Sequence, residues 1–428
     1  MNKIAYLIII LAFSIDFITT QLPGGRLFRL APEMLSAFVL VIVALRIGRR
    51  APIVVSPKYL LFFVVFLLVI MAGVATNAVQ PGAIFAGMLI YLRYIPFFLL
   101  PVVYDFSEEE IWGQIKLILG LSLLQFPIAL FQRFVQFSGE ASGDRIVGTL
   151  GLSSNLSIVL ISCAAVVMGF YLKKYLSINV FFLIMIMLLI PTMINETTVS
   201  LFLIPLALIA PALFIKGTAK LKYLLQIGGI ATVFLIIFVA VYNTYYTRWG
   251  GDVLSIVTEG KMTEYVYKGA DKDSRTGDGK EHSEIGRVDS MIMPFKLIDD
   301  PVKLLMGHGM GNVSDIDAKR LQGEYIAQYG VMAAGMTTVS YLIWEIGLFG
   351  LGLSLLLLLM LMRDAAVLGQ SDDAFGAIAL GWTGVMIVMI IVLAYQNIIP
   401  VASVGMLMWY VSGIIASKRF RAQRLQRF

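Results

Sequence analysis

Long apolar runs recur along this chain, near residues 4–20, 34–47, 58–75, 83–103, 113–133, 152–172, 177–195, 198–215, 222–242, 338–362, 374–396 and 399–416, separated mostly by short charged or turn-forming connectors. A run of about 20 apolar residues is what the hydrocarbon core of a bilayer demands of a spanning helix. In lipid, backbone N–H and C=O groups have no water to bond, so such a run must close its hydrogen bonds within itself. The expected fold is therefore an all-α polytopic membrane protein with about 12 transmembrane helices. Composition agrees, because 59% of the 428 residues are hydrophobic and only 14% are charged, against roughly a quarter charged in soluble domains.

The connectors carry an orientation signal. With the N-terminus in the cytoplasm, the inward connections hold Arg46, Arg49, Arg50 and Lys58, then Lys173 and Lys174, then Lys216, Lys220 and Lys222, then Arg363. The C-terminal tail adds Lys418, Arg419, Arg421, Arg424 and Arg427, whereas the short outward connections hold Arg26, Arg29 and Arg145, with Arg133 near a span end. Short cytoplasmic loops retain positive charge, so both termini are expected inside. The N-terminal run lacks a small-x-small cleavage site and reads as a retained first span. Helices 1–9 are thus expected over 1–243, a large extracytoplasmic loop between helices 9 and 10 over 244–337, helices 10–12 over 338–416, and a basic cytoplasmic tail over 417–428. The second span is short, and the break at Asn397 to Pro400 also suits a re-entrant pair.

The segment between Tyr242 and Thr337 holds both histidines, His282 and His308, and 25 of the 60 charged residues. Its 11 basic and 14 acidic residues nearly balance, which suits a folded, solvated cap better than a polyanion-binding arm. Ser283 to Phe295 reads as a helix, while Gly250, Gly251, Gly277, Gly279, Gly307, Gly309 and Gly311 mark turns.

Several chemistries are excluded by what the chain lacks. Basic residues are dispersed between apolar runs, which argues against a nucleic-acid partner. The single Cys163 can neither close an intrachain disulfide nor complete a metal site. The Gly307 to Gly311 run is no phosphate loop, and neither H-E-x-x-H nor G-x-S-x-G occurs. No metal or cofactor is expected.

What remains are arginines on the outer side: Arg145, Arg275 and Arg287. A planar guanidinium fork suits bidentate recognition of phosphate, although each also reads as a solvated surface charge. Arg93 lies midway along an apolar run, where an unpaired charge costs several kcal/mol. It is expected to find a partner, to line a polar cavity, or to snorkel beside Tyr91 and Tyr94. Asp16, within the first run, either faces the bundle interior or sits near the outer end with access to water. Glu196 stands at an outer span end, facing an arginine or water.

Taken in order, Arg287, then Asp300-Pro301 through Leu304-Leu305-Met306-Gly307-His308-Gly309-Met310-Gly311, then Tyr341-Leu342-Ile343-Trp344-Glu345-Ile346-Gly347-Leu348-Phe349-Gly350, resemble the O-antigen ligase and Wzy-type polysaccharide polymerase family. Arg145-Ile146-Val147-Gly148-Thr149 with Asn155 resembles that family's R-x-x-G-T…N segment. The resemblance implies a metal-independent, membrane-embedded glycosyltransferase of the bacterial cytoplasmic membrane. It would take glycan from undecaprenyl pyrophosphate on the outer face, among membrane lipids, with flippase and chain-length-regulator partners. By motif, Arg145 and Arg287 become the pyrophosphate clamp, with Arg93 and Arg275 as further candidates. Gly307, Gly309 and Gly311 would let backbone approach the substrate. The chain departs from the pattern at Thr338-Val339, where the family carries an H-N pair, and a threonine is no general base near neutral pH. His308, Glu324 and Asp289 are the substitutes. Polymerase and ligase both stay open, and the competing class is a 12-span transporter or lipid-linked glycan flippase.

Overall fold

The computed structural model describes residues 1–138, 143–216, 220–246, 286–314, 323, 325 and 335–425. Among the described residues the secondary structure is all helical. The N-terminal half comprises α1 (Asn2–Gln21), a short 3-10 turn (Gly25–Leu30), α2 (Ala31–Gly48), α3 (Pro57–Thr76), α4 (Pro81–Leu92), α5 (Ile95–Val103), α6 (Glu108–Phe131), α7 (Ser153–Leu172), α8 (Ile178–Ile194), α9 (Ser200–Leu213) and α10 (Lys220–Tyr246). After the polar segment come α11 (Arg287–Leu297), α12 (Pro301–Met306), α13 (Thr338–Leu368), α14 (Ala374–Tyr395) and α15 (Ala402–Leu425).

Helix starts follow local chemistry. Pro57 and Pro81 occupy first-turn positions, where a missing N–H has no helical partner to lose. Ser107 and Glu110 close a capping box at α6, satisfying two otherwise orphaned N–H groups.

Each of the twelve expected spans coincides with a helix, or for the fourth with the bent pair α4 and α5. Among the described residues eight helical segments are long and apolar enough to cross a membrane, and the α4–α5 pair, bent by 50°, makes a ninth if taken as one span. The 17 residues of α8 and the 14 of α9 reach less than the roughly 30 Å of a hydrocarbon core at 1.5 Å per residue. The last helix carries Lys418, Arg419, Arg421 and Arg424 in its final third. Residues 396–401 are non-helical, so the break expected at Asn397 to Pro400 is real.

The bundle is built around α7 and α14, whose apolar windows are 89% and 78% buried against 22% for α3. Small residues make this contact possible. A Cβ at Gly169 of α7 would strike the Ala377 carbonyl and Gly381 of α14, and such close backbone approach is how helices associate without a hydrophobic drive between them.

Several basic residues meet acidic and aromatic partners at one end. Lys58 binds Asp364 at 2.7 Å and Lys173 binds Asp372 at 3.2 Å. Arg421 pairs with Asp105, Arg46 lies over Tyr104, and Lys418 lies over Phe375. These contacts involve the basic clusters that lie between the apolar runs of the sequence. The candidate site lies at the opposite end.

Candidate functional site

The site is organised by a break in α13. Gly347 has φ 68° and ψ −171° inside the helix, a conformation open to glycine but strained for side chains. The break releases the carbonyls of Trp344 and Glu345, which accept from the amides of His308 at 2.8 Å and Gly309 at 3.0 Å. The glycine run therefore pairs with the broken helix through its own backbone.

Its glycines are required by space as well as by φ. Gly307, Gly309 and Gly311 all have positive φ. A Cβ on Gly311 would strike the Ala83 carbonyl of α4, and one on Gly307 would strike the Glu345 backbone. Reciprocally, a Cβ on Gly73 of α3 would lie 2.8 Å from the Met306 carbonyl, and one on Gly87 of α4 would lie 2.6 Å from the Gly311 amide. The turn is thus wedged among α3, α4 and α13. Asn77 ties it further, donating to Gly307 O at 3.0 Å.

Glu345 is the anchor. Its fully buried carboxylate accepts from Gly311 N at 2.7 Å, Val313 N at 2.9 Å and Ser314 Oγ at 2.7 Å. Ser314 Oγ also meets the Tyr341 hydroxyl at 2.5 Å. The Tyr91 ring stacks on Tyr341 at 5.8 Å, and its buried hydroxyl faces Glu345 without completing a well-formed hydrogen bond. Sequence reading gives Glu345 no role, yet the signal is present: a carboxylate about 10 Å into an apolar helix is costly unless bonded, and Gly347 two residues later supplies the break.

His308 is 4% exposed, its ring 4.0 Å from that of Tyr325 and 5.4 Å from that of Trp344. Burial pushes its pKa down to about 4, the Lys303 charge adds to this, and its contact with Trp344 O opposes it. The imidazole is neutral near pH 7 and a weak base there, poorly matched to general-base work.

Arg287 opens α11, donates from Nε to Tyr395 O at 3.0 Å and lies over the Tyr395 ring at 4.5 Å. Asp289 follows in the first turn of the same helix, half-buried. The helix expected from Ser283 begins at Arg287 among the described residues. Next to Tyr395, Gln396 joins two distant segments. Its carbonyl accepts from Thr338 Oγ1 at 2.9 Å, and its Nε2 donates to Asn155 Oδ1 at 2.9 Å. Thr338 also accepts from Ile398 N at 2.9 Å, so Thr338 is a structural tie.

The Gly143 to Thr149 segment is laced by glutamine side chains. Gln132 exchanges two hydrogen bonds with the Gly148 backbone at 2.8 and 2.9 Å, Gln125 accepts from Thr149 N at 2.9 Å, and Glu196 accepts from Gly143 N at 2.7 Å. Arg145 is exposed on this segment, 5.7 Å from the Phe137 ring. Asn155 Nδ2 donates to Leu150 O, linking the segment to Gln396 and so to Thr338.

Arg93 is placed differently from the other arginines. It sits at the α4–α5 bend, pairs with Glu33 at 2.6 Å, donates to Pro400 O and lies over Tyr94. The partner that its apolar setting demands is Glu33. Asp16 is half-buried beside Gly151, within electrostatic reach of Arg93. The candidates Arg275 and Glu324, and also His282, lie outside the described residues. Among the described residues no three His, Cys, Asp or Glu side chains gather as metal ligands would.

Neither family models nor curated proteins match this chain. The reading of the site rests on its own residues.

Proposed function

We propose that this chain is a polysaccharide polymerase, or a ligase of the same class, transferring glycan from undecaprenyl pyrophosphate to an acceptor glycan on the outer face of the bacterial cytoplasmic membrane. In this reading it has twelve spans, both termini are cytoplasmic, and the cap at 244–337 faces outward. One observation carries the proposal: three motif segments far apart in sequence are joined by hydrogen bonds at one end of the bundle. Asn155 bonds Gln396, Gln396 bonds Thr338, the adjacent Tyr395 bonds Arg287, and Ser340 Oγ bonds Ser290 O at 2.7 Å.

In this arrangement Arg145 and Arg287 bind the pyrophosphate, whose departure they assist by stabilising the charge that develops on it. The acceptor hydroxyl attacks the anomeric carbon, the bond to the pyrophosphate oxygen breaks, and the hydroxyl proton passes to a base, for which Asp289 stands two residues from Arg287. The glycine turn and Glu345 hold the floor of the site rigid. Arg93, already paired with Glu33, serves the bend.

The test is turnover of an undecaprenyl-pyrophosphate repeat unit by purified protein. The expected result is longer lipid-linked chains, lost in Arg287→Ala and Arg145→Ala. Normal elongation by both variants sinks the clamp. Movement of labelled substrate across sealed vesicles without new glycosidic bonds favours a transporter instead.

A further inference from the structure

Three arginines stand where α2 ends: Arg46 in its last turn, with Arg49 and Arg50 just past it. Other cations at this end of the bundle have found acids, Lys58 on Asp364, Lys173 on Asp372 and Arg421 on Asp105. Among the described residues no carboxylate pairs with Arg46, Arg49 or Arg50. Arg46 is half-buried over the Tyr104 ring at 4.8 Å, and the other two are exposed. Arg50 adopts φ 60°, and the chain then turns onto α5, where Val54 N donates to Val102 O at 2.9 Å. Lys418 of α15 reaches the same neighbourhood, donating to Phe106 O at 3.2 Å beside the Tyr104 ring. It has Asp105 and Glu108 within electrostatic reach, so the uncompensated charge is that of the three arginines.

The helix leading to them faces lipid. Phe38, Val41 and Leu45 are exposed on α2. With Arg49 they follow a spacing of three, four and four residues, which sets them on one face of the helix. From Phe38 to Arg49 the helix rises about 16 Å, close to half of a roughly 30 Å hydrocarbon core. The face therefore matches one leaflet, with hydrocarbon along Phe38 to Leu45 and guanidinium groups at the level of lipid phosphate. A guanidinium fork binds phosphate oxygens bidentately. Basic clusters beside a spanning helix attract anionic lipid, whereas a choline head would set its own cation against these arginines.

We propose that Arg46, Arg49 and Arg50 bind the phosphodiester of an anionic phospholipid whose acyl chain lies on the Phe38 to Leu45 face of α2. The site stands apart from the glycan-transfer reading, since it lies at the opposite end of the bundle from the glycine turn.

The test is native mass spectrometry of the full-length protein in detergent, titrated with dioleoyl phosphatidylglycerol or dioleoyl phosphatidylcholine, which share their chains. Phosphatidylglycerol should bind roughly tenfold tighter or more. Arg49→Gln combined with Arg50→Asn removes two exposed charges, and asparagine tolerates the left-handed backbone at that position. This double variant should weaken phosphatidylglycerol about 25-fold, about fivefold per arginine at a membrane surface, and leave phosphatidylcholine unchanged. Lys220→Gln combined with Lys222→Gln, an equal loss of charge on α10, should change neither lipid. Melting temperature checks that each variant is folded; if the arginine pair melts early, Arg49→Gln alone should still show its fivefold. Equal affinity for the two lipids, an equal loss in the α10 variant, or unchanged binding in the folded arginine variants would overturn the assignment. Displacement of phosphatidylglycerol by excess inorganic phosphate would also overturn it, by making free phosphate the ligand.

Discussion

Glu345 accepts a 2.7 Å hydrogen bond from the backbone of Gly311 across 34 residues of sequence. With the bonds from Val313 and Ser314, that carboxylate fixes the glycine turn wedged among α3, α4 and α13. Glu345→Gln replaces one accepting oxygen with an amide that donates, so at least one backbone N–H is left facing a donor. The expected cost is roughly 2 kcal/mol, within the range for a buried donor left unpaired. Thermal unfolding in detergent measures it, and a variant that melts with the wild type removes Glu345 as the anchor.

The glycines divide by their surroundings. Gly347→Ala and Gly311→Ala each combine a positive φ with a backbone collision and should destabilise by several kcal/mol, since strain and overpacking add. A Cβ at Gly120, inside α6, meets nothing within 4 Å. Gly120→Ala should therefore stabilise by up to about 1 kcal/mol through helix propensity. Equal effects in all three variants would contradict the packing described.

Acid should act through His308. Burial holds its folded pKa at about 4, below the ordinary 6.5, so the unfolded chain takes up the proton first. Above about pH 6.5 the group makes no difference to stability. Its contribution falls as pH drops from about 6.5 to about 4 and is constant below that. The wild type should lose melting temperature over this window relative to His308→Gln, and parallel curves for the two would show that His308 is not the titrating group.

Arg93 and Glu33 form a mostly buried pair, with side chains 13% and 20% exposed. Removing either partner alone strands a charge, which costs about 3 kcal/mol or more when the pair is buried. Arg93→Ala and Glu33→Ala should each destabilise, and the double variant should recover part of the loss. A double-mutant cycle with no coupling energy would place the pair in solvent.

How legible the molecule was varies by residue. The apolar helices were readable because a lipid-facing backbone has one way to satisfy itself, so an apolar run of sufficient length announces a helix. The pairing of Arg93 was foreseeable in kind but not in partner, since Glu33 lies 60 residues away. His308 read as a candidate base, and its enclosure between Tyr325 and Trp344, which lowers its basicity, is a contact made only by the fold. Glu345 was visible as a costly carboxylate, while the turn that satisfies it lies in the polar segment, 31 to 34 residues earlier.

The length of the apolar runs and charge placement, both local along the chain, determined by themselves that this protein is a bundle of apolar helices with its basic clusters set between them. The tertiary structure alone decided which polar groups meet. A hydrogen bond forms at about 3 Å whatever the sequence separation. The bonds from Glu345 to the glycine turn and from Gln396 to Asn155 and Thr338 therefore exist only once helix packing, guided by glycine contacts such as Gly73, Gly87 and Gly347, has brought those backbones together.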